Sequence, residues 1–176
     1  MKNEMTYDKF SIFELKLKKG IQFVLKYIEL RDDDNGLYDV TYTQEDWSFN
    51  NSKIFELAER LKDFVPHENK EIDILSVSFG ASRFSNGDGT FEIDFKTISF
   101  KFSHQTTGSE SSTVVSTSKI DISSYNDIDS DDDRAEELAQ LIEEINLNAF
   151  EFAVLGTSFP PVENESEING DEISFK

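Results

Sequence analysis

Cysteine is absent from all 176 residues, which excludes a disulfide framework and any thiolate metal centre. That suits a reducing compartment. Histidine occurs only at positions 67 and 104, and there is neither a Gly-x-Ser-x-Gly elbow nor a Walker motif. Nucleophilic and metal-assisted chemistry therefore lack their usual parts, and the expectation is a non-enzymatic protein that needs no cofactor. No run of about 18 apolar residues exists, so no membrane span is expected. The opening "MKNEMTYDKF" lacks the apolar stretch of a signal peptide, which places the expected location in bacterial or host cytoplasm, with a virion as the alternative. Alanine and proline are scarce while isoleucine, asparagine, lysine and phenylalanine abound, a bias typical of AT-rich bacterial or phage genes.

Basic residues are nearly missing from the last third. Residues 1–60 hold 9 basic and 12 acidic side chains, residues 61–120 hold 6 and 8, and residues 121–176 hold 2 and 16. The net charge of −19 is thus mostly C-terminal, with −14 falling on the last 56 residues. A field of that sign repels nucleic acid and favours a basic partner or plain solubility. The one basic cluster, "KLKKG" at 16–20, reads as a solvated hairpin tip or an edge-strand guard.

What remains is ample for a core. Apolar residues make up 37% of the chain and include 16 phenylalanines, and a chain of this length buries roughly 70% of its unfolded surface. The alternation in 10–30 predicts one long strand, or two broken at Gly20. Asn35-Gly36 signals a hairpin, with 37–43 as the return strand. Ile54, Leu57, Ala58 and Leu61 then fall on one helical face, with Asn51 or Ser52 as cap and Pro66 as stop. A strand over 71–84 leads into the turn "SNGDG", which reads as a hairpin rather than a phosphate or calcium loop. Residues 90–104 predict a long strand whose apolar phase shifts between Phe95 and Ile98, the mark of a bulge. Phe91, Phe95, Phe100 and Phe102 alternate at strand period and read as core. Residues 113–123 predict another strand, Leu138, Leu141, Ile142 and Ile145 a second helical stripe, and 150–159 a final strand.

The halves also match residue by residue. "FELKLKKGIQFVL" (13–25) lies over "FEIDFKTISFKF" (91–102) with one gap, "ELAERL" (56–61) over "ELAQLI" (137–142), and "ILSVSF" (74–79) over "VLGTSF" (154–159). The predicted fold class is therefore α+β: two pseudo-repeats of ββαβ (10–83 and 90–159), mainly antiparallel sheet, with two amphipathic helices on one side. Residues 1–159 form one domain in this reading, and 160–176 form an acidic C-terminal tail.

The densest chemistry lies in "NDIDSDDDRAEELAQLIEEI" (126–145), with nine carboxylates and one arginine. Asp127, Asp129, Asp131 and Asp133 alternate like the first ligands of a calcium loop, a weak metal candidate. The glycine and the bidentate glutamate of such a loop are replaced by Asp132 and Leu138. Ser130 and Asp133 resemble a capping box, with three aspartates in the first turn facing the positive end of the helix. The remaining acids charge the solvent face. The expected binding surface comprises Asp127, Asp129, Asp131, Asp132, Asp133, Glu136, Glu137, Glu143 and Glu144.

The functional expectation is an acidic protein-binding protein, such as a phage or mobile-element inhibitor or an immunity protein, that engages a basic, nucleic-acid-handling partner. The alternative is a virion or assembly subunit that self-associates through sheet edges and the tail segment "EISFK". Direct nucleic-acid and membrane partners are not expected.

Overall fold

A computed structural model describes residues 5–18, 22–46, 52–68, 71–105, 108, 111–126 and 133–155. The strands are β1 (Phe10–Lys18), β2 (Gln22–Asp33), β3 (Gly36–Asp46), β4 (Ile72–Ser85), β5 (Phe91–Gln105), β6 (Ser112–Ser116) and β7 (Ile120–Asp121). They form one sheet in the order β3-β2-β1-β4-β5-β6, with β7 also on β5, and every pairing is antiparallel. The helices are α1 (Ser52–Arg60) and α2 (Arg134–Phe150). The architecture is α+β.

Alternation decides which face is covered. Phe10, Ile12 and Leu15 on β1, Phe23, Leu25 and Tyr27 on β2, and Val77 and Phe79 on β4 share one cluster with Ile98, Phe100 and Phe102 on β5. Ile54, Leu57, Ala58 and Leu61 from α1, and Leu138, Leu141, Ile142 and Ile145 from α2, close the same cluster. Leu57, Leu61, Leu138 and Ile142 are fully buried, each worth roughly 1.5–3 kcal/mol of transfer free energy.

Three bulges bend the sheet. Phe13, Leu75 and Lys96 are the extra residues, lying between the register steps Ile12/Glu14 and Ile74/Ser76 and opposite the step Gly80/Ala81. The last is the bulge that the phase shift between Phe95 and Ile98 predicted. Gly80 sits beside it, where an added Cβ would collide with the Thr97 hydroxyl unless that side chain turned away. The predicted turns also form. Gly36 adopts a φ of 107°, and Gly87 and Gly89 adopt 79° and 90°, a region that favours glycine.

Of the two alternatives for residues 10–30, two strands form, with Gly20 outside the described residues. Other expectations need correction. Residues 113–123 divide into β6, β7 and a 3-10 turn, Ile122–Tyr125. The strand expected over 150–159 is helical as far as it is described: α2 runs to Phe150 and continues as a π-helical turn, Glu151–Leu155. Its aromatics pack as helix residues, Phe150 edge-on to Tyr7 and Phe10, and Phe152 edge-on to Phe23. A short apolar run carries too few residues to separate the two periods, and tertiary packing overrides its strand propensity. The sequence match between 13–25 and 91–102 consequently sets two strands against the unbroken β5. Residues 156–159 and the expected tail, 160–176, lie outside the described residues.

Candidate functional site

The start of α2 lies three residues beyond the expected one. Asp133 is its N-cap, with a non-helical ψ of 63°, and its carboxylate accepts the Glu136 amide at 3.3 Å. Asn126 adds a second cap, its side-chain oxygen accepting the Ala135 amide at 2.9 Å. Asp133 thus sits outside the first turn, and Glu136 and Glu137 are the acids that face the positive helix end. The capping-box geometry proposed through Ser130 is replaced because Asp133 itself occupies the cap. Ser130 and the site residues Asp127, Asp129, Asp131 and Asp132 lie outside the described residues.

Arg134, the only cation in the acidic stretch, turns away from it. Its guanidinium donates to the Asp63 carbonyl at 2.9 Å and lies over the Phe64 ring at 5.2 Å. Tyr125 donates to the Phe64 carbonyl at 2.7 Å, so both groups tie the α2 N-terminus to the turn after α1. Burial pushes the Tyr125 hydroxyl up to about 12, against the opposing charge of Arg134.

The two glutamates about two turns from the end of α2 have different fates. Glu144 faces α1 and pairs with Lys53 at 3.2 Å and Arg60 at 2.9 Å. Burial pushes its carboxyl up, but the hydrogen bonds and charges of Lys53 and Arg60 outweigh that and hold it below the usual range. Glu144 is therefore an inter-helix tie rather than a free surface charge. Glu143 is exposed, and among the described residues no ion pair reaches it or Asp133, Glu136 or Glu137. Glu136 accepts from the Gln140 side chain at 3.1 Å, an i,i+4 contact.

Glu143 borders a cleft of about 260 Å3 between α2, β5 and the 3-10 turn Tyr7–Lys9. Tyr7, Phe91, Ile93 and Phe95 supply its apolar and aromatic walls, and Asp8 and Glu143 its acidic ones; Glu92 borders it, but strand alternation sends its side chain to the face of β5 opposite Phe91 and Ile93. Asn146 closes it from α2. This side chain is 1% exposed, and its oxygen accepts the Ile12 amide at 2.7 Å. The bond has a cause in the sheet: β4 pairs with β1 only along Glu14–Lys16, so Ile12 lies beyond that ladder. The Tyr7 hydroxyl is raised by burial, lowered in part by its hydrogen bond with Asn146, and raised again by the Glu143 charge. Asp8 fixes the cleft wall by accepting the Phe91 amide at 3.3 Å.

Sequence reasoning placed Glu143 on the site but gave no sign of Tyr7, Asp8 or Glu92, and assigned Phe91 and Phe95 wholly to the core. Nothing in their spacing marks them, because the cleft joins residues more than 130 positions apart. The same holds for the two histidines, whose rings lie 4.8 Å apart, with His67 also edge-on to Phe102. Among the described residues no three His, Asp or Glu side chains are grouped to hold a metal ion. No helix among them is long and apolar enough to cross a membrane. No protein-family model matches the chain, and neither a curated protein nor a solved structure matches it significantly.

Proposed function

We propose that the chain is a non-enzymatic acidic binding protein that engages a basic protein surface, in the manner of a phage or mobile-element inhibitor or an immunity protein. One observation carries the reading. The exposed carboxylates Asp133, Glu136, Glu137 and Glu143 line α2 without a cation among the described residues, although Lys53, Arg60 and Arg134 lie close by and are engaged elsewhere. An unneutralised row of one sign steers a partner of the opposite sign and accelerates its encounter.

The test is titration with oligoarginine at rising salt. Neutralising Asp133, Glu136, Glu137 and Glu143 together to Asn and Gln removes most of the affinity. Neutralising Asp32, Asp34, Glu56 and Asp73 instead, which leaves the same net charge, removes little. Equal losses in the two variants would reduce the effect to net charge and end the reading.

A second reading, self-assembly, draws on the β3 edge. Among the described residues this strand pairs only with β2; it spans eleven residues without proline or lysine, and exposes Leu37 and Tyr38. Light scattering decides it, since an assembling subunit forms a defined oligomer that deletion of 160–176 abolishes. We also propose a duplicated ββαβ ancestor, in which the described part of the second copy's last strand has become helical; the shared Glu-Leu-Ala segments of α1 and α2, whose Leu57 and Leu138 are both fully buried, support it.

A further inference from the structure

We propose that the cleft beside Tyr7 is an arginine-anchoring pocket, which receives one guanidinium from the partner's surface; the assignment rests on the acidic-binding reading above. Concavity, aromatic lining and negative charge converge here. Tyr7, Phe91 and Phe95 provide aromatic surface, and Asp8 and Glu143 provide acidic groups around the same opening of about 260 Å3. Among the described residues no lysine or arginine lines it, and no ion pair uses Asp8 or Glu143.

That pairing of surfaces selects a particular chemistry. A guanidinium is planar and weakly hydrated, stacks on aromatic faces, and donates in a fork that matches carboxylates. An ammonium is more strongly hydrated and gains less from an aromatic wall. A neutral side chain would fill the same space but leave the carboxylates uncompensated.

The cleft is also held in shape before anything binds. The Asn146 oxygen is fixed by the Ile12 amide, the Asp8 carboxylate holds the Phe91 amide, and Tyr7 rests edge-on against Phe150 at 5.5 Å. Little ordering remains for the partner to impose, which favours anchoring of a single side chain. Interfaces concentrate their binding energy in such pockets, with arginine among the residues most often found there.

The experiment is amide chemical-shift mapping on the full chain, with acetyl-Gly-Arg-Gly-amide as probe. Its citrulline counterpart, which keeps the shape and lacks the charge, and its lysine counterpart serve as comparators. The arginine peptide is expected to shift Tyr7, Asp8, Phe91, Glu92 and Glu143 together. Citrulline should bind at least about tenfold more weakly, and lysine several-fold more weakly. Glu143→Gln should weaken the arginine peptide several-fold and leave the rest of the spectrum in place, which confirms that the variant is folded. Shifts centred on Asp133 to Glu137 would overturn the cleft and leave the wider reading standing. Oligoarginine binding without tripeptide binding would do the same. Equal binding of citrulline would overturn both, and equal binding of lysine would overturn the guanidinium assignment.

Discussion

Two concavities share Phe91 as a wall and are opposite in their charge economy. On one side lies the Tyr7 cleft. On the other, a groove of about 380 Å3 is lined by Leu30, Leu37, Tyr38, Asp39 and Arg83. This groove opens where the far half of β4 leaves β1, and Arg83 fills the gap, donating to Asp39 at 2.7 Å and to the Ser11 hydroxyl at 2.6 Å. Its charge is balanced from within the chain, whereas the Tyr7 cleft has two acidic residues, Asp8 and Glu143, that no described cation pairs with. Shape alone therefore does not mark a site here, although the balanced groove is the larger of the two.

The largest effect expected from breaking this contrast is at Asn146. Asn146→Leu leaves the Ile12 amide buried without an acceptor, a cost of about 1–3 kcal/mol. Thermal denaturation should show the midpoint falling by several degrees. Arg83→Met comes next. It strands Asp39 and Ser11, and because the Asp39 carboxylate is half-exposed the expected loss is only about 1 kcal/mol in urea unfolding. A similar loss attends Tyr125→Phe, which removes one hydrogen bond, but its pH signature is distinctive. A hydroxyl held at about 12 when folded contributes stability that is fully present below pH 10 and fades as pH rises toward 12. The variant should flatten that alkaline limb.

The smallest effects separate the adjacent glutamates. The folded-state pKa of Glu144 is depressed, so its contribution is present above about pH 4.5 and is lost as pH falls below that. Glu144→Gln should cost a few tenths of a kcal/mol at neutral pH and soften the acid transition. Glu143→Gln should cost nothing measurable, because no cation loses a partner. A marked destabilisation by Glu143→Gln would show that the cleft is balanced after all and would erase the contrast.

Much of this scaffold was legible beforehand, for physical reasons. Asn-Gly and Asp-Gly pairs can only mark turns of particular backbone sign, and the strand-to-helix change of period at Ile54 and Leu138 is long enough to count. The bulge at Lys96 appeared because a single extra residue reverses the apolar phase of everything after it. The strand expected over 150–159 is helical over its described part because the partners of Phe150 and Phe152, namely Tyr7, Phe10 and Phe23, lie at the other end of the chain, and the alternation of the run carries no sign of them. The site was half visible. Glu136, Glu137 and Glu143 follow from helical periodicity, but the diversion of Glu144 to Lys53 and Arg60 depends on how α1 docks. The aromatic wall beside Glu143 depends on where β5 ends and the N-terminal turn returns. No local pattern encodes either.

The contact between His67 and His104 equips the molecule with an internal reporter. These are the only imidazoles in the chain, and their rings face one another at 4.8 Å across the segment after α1 and the end of β5. Each ring therefore sits in the magnetic shadow of the other. A proton spectrum needs no isotope label to resolve two such resonances, and any separation of the α1 turn from the sheet, whether by acid, by a partner or by substitution, will move both at once.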